Sequence, residues 1–294
     1  MTVAFQPAAP LVIYRNDIEM AFNRRNKLLF NTVLTNFQAK GYQAVFEVAD
    51  ADASLAKTRG ANGDISFNSF TQAQYTATME AKFAPYELSK ENVLYSQGDL
   101  ERVMTEAAAG QINRTIDSSI ITTLDAATQE YNSSSAPLTN VSINTFVNIK
   151  AKLMQARVPN NGEIFCVVNP SIEASLLTLP NVTNIMFTDK KNLQNPDSLD
   201  WADQIKMYEF AGLKFIVMPD LPGMGTALET NYVYHKKSVG LAHLMGGEGP
   251  TVDAGYDGRQ KRYWVNADFI MGSKIIQNTG IYKFYSDATA LLQS

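Results

Sequence analysis

Apolar residues recur at helical spacing from Leu100 through Val103/Met104, Ala107/Ala108, Ile112, Ile116 and Ile120 to Leu124, and the pattern holds to about Gln129. At 1.5 Å per residue, ~30 residues make a rod of roughly 45 Å, longer than a compact small domain requires. Asp99, after Gly98, is placed to cap the free backbone N–H groups, and Glu101 suits the positive N-terminal end. Any fold for this chain must be arranged along that rod.

Two stretches of period two precede it. Tyr42, Ala44, Phe46 and Val48 alternate with Gln43, Val45, Glu47 and Ala49, and Tyr75, Ala77, Met79, Ala81 and Phe83 alternate with Thr76, Thr78, Glu80 and Lys82. The polar stretch between them, with Lys57, Arg59, Gly60, Gly63 and Asp64, is too long for a hairpin turn of two to five residues. The expectation is a long two-stranded ribbon with a polar tip, and such a ribbon is stable only when it lies on something. A third run places Tyr263, Val265, Ala267, Phe269 and Met271 on one face, and its natural partner is Met79 to Leu88, far earlier in the chain. Before the ribbon, Ile18, Phe22, Leu29, Val33 and Phe37 suggest a helix from about Asn16 to Gly41, after an extended start containing Pro7 and Pro10.

The remainder reads as a mixed α+β domain. A run of Ser and Asn ending at Pro137 forms a linker, then Ser142 caps a helix carrying Phe146, Ile149 and Leu153. A buried strand Ile164 to Val168 follows, then a short helix opened by Asn169-Pro170, where the missing proline N–H costs nothing. Leu213 to Met218 is a strand stopped by Pro219. Tyr232 to Tyr234 and Val239 to Leu244 look like a hairpin, Gly246 to Pro250 a closing hinge, and Gly280 to Tyr285 a last strand. The divisions expected are an arm over residues 1–41, a ribbon and first strand over 42–92, and the long helix over 93–135. A compact domain over 136–246 and returning strands over 247–294 complete the chain.

Composition excludes several classes. With 294 residues, 45% hydrophobic and 18% charged, the chain has enough apolar material for real cores and is not globally disordered. A net charge of -4 cannot hold nucleic acid by a global field, so any such contact is local. The single Cys166 rules out an internal disulfide and reads as a buried apolar residue. The apolar run Leu11 to Tyr14 is too short for a signal peptide and no run approaches a membrane span, so a soluble cytosolic protein is expected. The Asn-x-Ser/Thr sequences at Asn113, Asn132, Asn140 and Asn181 are then incidental.

Motifs that carry chemistry are weak. His235 and His243 could face each other across a hairpin but have no ligand spacing, so structural roles are preferred. The glycines from Gly246 to Gly249 match no phosphate-binding pattern, and Asp253, Asp257 and Gly258 lack calcium-loop spacing. Glu47, Asp50 and Asp52 suit the solvated face of the arm, and no cofactor or metal is expected. Arg15, Arg24, Arg25 and Lys27 form the densest basic cluster, interleaved with Asp17 and Glu19.

A basic arm, a long ribbon, an overlong helix, a compact domain and a returning strand leave surfaces that one subunit cannot cover. Together with Val158-Pro159-Asn160-Asn161-Gly162-Glu163-Ile164-Phe165-Cys166-Val167-Val168-Asn169-Pro170, Phe210-Ala211-Gly212-Leu213-Lys214-Phe215-Ile216-Val217-Met218-Pro219 and Gly255-Tyr256-Asp257-Gly258-Arg259, this element order resembles major capsid proteins of tailed bacteriophages. The resemblance spans essentially the whole chain and implies the Hong Kong 97-like capsid fold.

The resemblance makes the ribbon an extended loop, the long helix the spine of a peripheral domain, and the mixed domain an axial domain. Subunits would cluster around the axial domain as pentamers and hexamers of an icosahedral head, a homo-oligomer in the virion, assembled in the host cytoplasm without a membrane. The tip residues Lys57, Arg59, Gly60, Gly63 and Asp64 would reach a neighbour, where Glu101 and Glu106 on the spine are candidate partners and Ile112, Ile116 and Ile120 supply its core. Arg15, Arg24, Arg25 and Lys27 would face packaged double-stranded DNA through weak non-specific contacts. A portal protein is implied. Because the chain reaches its arm helix almost at once, a separate scaffolding protein is also expected. The alternatives are an encapsulin-like compartment holding protein cargo and a cytosolic hydrolase built from scattered Asp, Glu and Ser; the reading preferred is a structural protein, not an enzyme.

Overall fold

A computed structural model describes residues 26–39, 41–51, 59, 70–95, 100–178, 207–244 and 251–292. In chain order the strands before the long helix are β1 (Leu34–Ala39), β2 (Gln43–Ala51), β3 (Phe70–Thr78) and β4 (Glu80–Ser89), followed by helices α1 (Lys90–Tyr95), α2 (Leu100–Asp125) and α3 (Ile143–Gln155). Then come β5 (Ile164–Val168), α4 (Pro170–Thr178), β6 (Met207–Phe210), β7 (Leu213–Val217), β8 (Glu229–His235) and β9 (Val239–Leu244). The chain closes with β10 (Thr251–Asp257), β11 (Arg262–Ile275), β12 (Ile281–Ser286) and a short α5 (Ala288–Leu291).

The rod is α2, 26 residues and about 39 Å long. Met104, Ala108, Ile112, Ile116, Ile120 and Leu124 are buried as the stripe requires, and Ile121 joins them. Their cover is the first sheet, in which β11 is the organising strand. β11 pairs antiparallel with β4 from Arg262↔Ser89 to Met271↔Glu80, the long-range pairing expected from the two period-two runs. Val265, Ala267, Phe269 and Met271 turn inward onto α2, as alternation demands.

β2 and β3 form the ribbon, in register from Gln43↔Thr78 to Ala51↔Phe70. Its root is anchored: Ala44, Phe46, Ala77 and Met79 bury against Ala39, Ala242 and Ile276, with Val48 and Tyr75 at the margin. The run Tyr75 to Phe83 is not one continuous face. Met79 donates its N–H to Tyr42 O at 2.9 Å, and beyond it the inward positions become Ala84, Tyr86 and Leu88, leaving Phe83 62% exposed. The phase changes because the chain there leaves one strand partner, β2, for another, β11.

The arm helix expected up to Gly41 does not extend through its described part. Residues 30–32 form one 3₁₀ turn, and β1 follows, pairing parallel with β9 from Leu34↔Gly240. Leu29 and Val33 are buried as their spacing suggested, but the β-branched Thr32, Val33 and Thr35 disfavour a helix and the edge of β9 offers backbone partners. The earlier part of that helix lies outside the described residues, as does the Asp99 cap.

The second sheet runs β12-β8-β5-β7-β6. β5 is buried on both faces: Phe165 and Val167 join the α2 core, while Ile164, Cys166 and Val168 pack with Phe146, Ile149 and Leu153 of α3 and Ile172 of α4. Ser142 stands at the N-cap of α3, where its hydroxyl meets the Thr145 hydroxyl at 3.3 Å instead of a backbone N–H. The segment ending at Pro137 is docked along β12: Tyr131 N–H donates to Lys283 O at 2.8 Å and Leu138 N–H to Tyr285 O at 2.9 Å, covering a sheet edge.

The expected hairpin of Tyr232–Tyr234 with Val239–Leu244 does not form. β8 lies between β5 and β12 in the second sheet, β9 between β1 and β11 in the first, and the short turn Lys236–Ser238 crosses between them. Each strand is instead paired along both edges in its own sheet, β8 by β5 and β12 and β9 by β1 and β11. β10, for which no strand was expected, pairs with the first half of β11 from Thr251↔Asp268 to Asp257↔Arg262. Its side chains are mostly exposed, which erased the alternation that marks a strand.

Candidate assembly surfaces

The buried titratable groups serve packing. Asp117 sits in the middle of α2, fully buried beside Ile116, and its two oxygens accept the backbone N–H groups of Leu28 and Leu29 at 2.9 Å each. Thr32 continues this strap: its hydroxyl donates to Leu29 O at 2.6 Å and lies 2.5 Å from the Tyr234 hydroxyl in the second sheet. The arm segment is thereby tied to the spine, to β8 and to β9. Nothing in the sequence isolates Asp117 except that it is an acid flanking the apolar stripe.

Glu229, also buried, organises one end of the second sheet. It accepts hydrogen bonds from Ser171 Oγ and Ser286 Oγ, and from Gly225 N–H at 2.9 Å. Asn231 adds a bond to Ser286 at 2.9 Å. These hydroxyls all point at a carboxylate that holds a loop, with no histidine among them.

The histidines do not face each other. His235 Nδ1 accepts from Lys237 N–H at 3.2 Å and caps the crossover turn, while Nε2–H donates to Asn161 Oδ1 at 3.1 Å. Burial lowers its pKa, against the smaller opposing pull of Glu163, so the ring is held neutral. His243 lies between Phe30 and Phe269, with ring centroids 5.9 and 5.4 Å away. Cys166 is fully buried, and burial pushes its thiol well above the usual range, away from the thiolate a nucleophile needs. Asp257 closes the β10–β11 turn by accepting Arg259 N–H at 2.9 Å, and Glu47 accepts from Gln72 and Gln74 across the ribbon at 3.0 and 3.1 Å.

Ile112, Ile116 and Ile120, expected as core of the spine, are buried there. Glu106 is engaged by Arg102 one turn earlier on the same helix, at 3.1 Å. Arg59 is exposed, whereas Lys57, Gly60, Gly63 and Asp64 lie outside the described residues, as does the Glu101 side chain. Lys27 is half-buried, with its ammonium 3.7 Å from the centre of the Phe30 ring, and it stands on no helix. Arg15, Arg24 and Arg25 lie outside the described residues.

A rod-backed sheet from which a two-stranded ribbon projects, joined to a second sheet clad in short helices, is the architecture of a shell-building coat protein. Solved structures share it along nearly their whole length. A structure from Mycobacterium phage Che8 matches at TM-score 0.69 and 17% identity, covering 97% of this chain and 98% of that one. The capsid of Ralstonia phage GP4 matches at 0.68 and 11%, covering 98% of each chain. The capsid asymmetric unit of Cyanophage Pam1 matches at 0.63 and 12%, again covering 98% of each. No protein of curated function matches the sequence. The family model for phage capsid protein matches residues 7–284, and the chain belongs to that family. It is a major capsid protein with the Hong Kong 97-like fold, a virion component that assembles with copies of itself.

Proposed function

We propose that this subunit builds the icosahedral head of a tailed double-stranded DNA phage, with the second sheet and its helices as the axial domain of pentamers and hexamers. The first sheet, α2 and the ribbon then form the peripheral domain. The observation that carries this reading is the ribbon: its root is packed on β9 and β11, while Glu47, Ala49, Gln72, Ala73 and Gln74 farther along it are exposed. A two-stranded ribbon anchored at its root and exposed along its outer rungs is marginal alone, and a neighbour completes it.

The tip, with Lys57, Arg59, Gly60, Gly63 and Asp64, reaches that neighbour. Glu101 and Glu106 are its acidic partners, Glu106 exchanging Arg102 for a cation from the adjacent subunit. Heterologous contacts that close by rotation make rings, and ribbons join rings into a shell. Arg15, Arg24, Arg25 and Lys27 face the lumen and offset phosphate charge without sequence preference. A scaffolding protein and a portal complete the particle, which forms in the host cytoplasm.

Electron microscopy and sedimentation of the expressed chain test the reading. Large closed particles are expected, and only monomers or dimers with scaffolding protein supplied would refute it. Ready protease cleavage of the arm in intact mature particles would place the basic residues outside and overturn the lumenal assignment.

A further inference from the structure

Where the β10–β11 hairpin passes the first turns of α2, Arg102, Thr105, Gly255, Tyr256, Tyr263 and Trp264 line an open groove of about 460 Å³. The groove is shaped around an indole. A methyl group at Gly255, which pairs with Trp264, would lie 2.8 Å from the ring, so the absence of a side chain is what lets the ring lie against the strand. The Tyr256 and Tyr263 rings stand 4.9 Å apart across the same strand pair, and the Lys90 ammonium is 5.8 Å from Tyr256. Trp264 is nevertheless 40% exposed and Tyr256 45% exposed. Tryptophan, tyrosine and arginine are the residues that dominate binding energy at interfaces. Grooves walled by aromatic rings take proline-rich extended segments, whose stiff backbone loses little entropy on binding.

The chain carries such a segment. Pro7-Ala8-Ala9-Pro10 has the spacing of that recognition mode, is flanked by Phe5 and by Leu11-Val12-Ile13-Tyr14, and lies in a stretch, residues 1–14, without a charged side chain. Its side chains bring no cation to oppose Arg102 or Lys90, and the apolar ones gain from cover. Reach is sufficient. Asp117 holds Leu28 and Leu29, and Thr105 stands about 18 Å from Asp117 along the same helix. The chain from Pro10 to Leu28 spans up to about 60 Å when extended.

We propose that the Pro7–Pro10 segment of this chain docks in the Trp264 groove. The occupant is the segment of the same subunit, whose tether at Leu28 and Leu29 leaves the groove within reach.

The test uses the full chain carrying Trp201→Phe, so that Trp264 is the only indole, and measures acrylamide quenching with and without Pro7→Ser/Pro10→Ser. Trp264 is expected to be shielded in the first chain and exposed in the second, and a synthetic peptide of residues 1–14 is expected to restore the shielding. In the same double variant, with Trp201 restored, Trp264→Ala or Tyr256→Ala should weaken a labelled form of that peptide at least about tenfold, the equivalent of ~1.4 kcal/mol. Shielding is expected already in dilute unassembled subunits; shielding only in assembled particles would assign the segment to a neighbouring copy and overturn the proposal. Equal quenching with and without the prolines in both states overturns the proposal, as does peptide affinity indifferent to both groove variants. Particle formation is scored separately by microscopy, so shells with an unshielded Trp264 would refute the docking and leave the capsid reading intact.

Discussion

The carboxylate of Asp117 accepts the backbone N–H of Leu29 at 2.9 Å, joining the spine helix to a segment 88 residues earlier. Its other oxygen accepts from Leu28, and both bonds are out of water or nearly so. Asp117→Ala leaves two backbone donors without this acceptor at a site that solvent does not reach. The expected loss is about 3 kcal/mol, read by urea unfolding of the unassembled subunit. A change under about 1 kcal/mol would mean that water or another acceptor replaces the carboxylate.

The ribbon is held by Phe46, whose ring lies over Gly240 of β9; a methyl group at that glycine would stand 2.7 Å from it. Phe46→Ala should cost about 3 kcal/mol and make β2 and β3 susceptible to limited proteolysis while the two sheets stay folded. Unchanged protease resistance would show that Met79 and Ile276 suffice as anchors.

Shortening the ribbon separates folding from assembly. Ala51 and Phe70 form the last described rung, so residues 52–69 can be replaced by a short Gly-Ser turn without disturbing the ladder. The expected product is a soluble subunit with an unchanged thermal midpoint that builds no stable shells. Each salt bridge at such a tip contributes only about 0 to 1 kcal/mol, but every subunit repeats it. Shells of normal heat resistance from this variant would remove the tip from the list of clamps.

His235 gives the subunit a pH dependence of defined sign. Burial lowers its folded pKa below the ordinary value of about 6.5, so the folded state prefers the neutral ring. Below that value the unfolded chain binds more protons, and stability falls with pH until the folded ring also titrates. The full contribution is present above about pH 6.5 and is lost on acidification beneath it. Thermal midpoints between neutral and mildly acid pH should show a drop that His235→Gln reduces. The His235→Gln/His243→Gln double variant should still build particles, since His235 caps a turn and His243 packs between aromatic rings. Loss of assembly together with a bound metal would contradict that.

Periodicity made much of this protein legible. The stripe from Met104 to Leu124 announces the rod, and the alternation of Val265, Ala267, Phe269 and Met271 announces β11, because each pattern reports which side chains leave water along one regular element. The pairing of β11 with β4 was also readable, since two long strands of matching period each lacked a partner. Tertiary structure decided what local pattern cannot encode. Leu34–Ala39 became a strand because β9 presents an edge there. β8 and β9 parted into different sheets, where each is paired along both edges by strands distant in sequence. Asp117 and Glu229 acquired their roles only when backbone donors from distant segments met them inside the core, where a carboxylate must be bonded. Burial along one element is a local property of side-chain order and is written in the sequence; the choice between competing strand edges, and the partner of a buried charge, depend on which surfaces meet after the chain has collapsed.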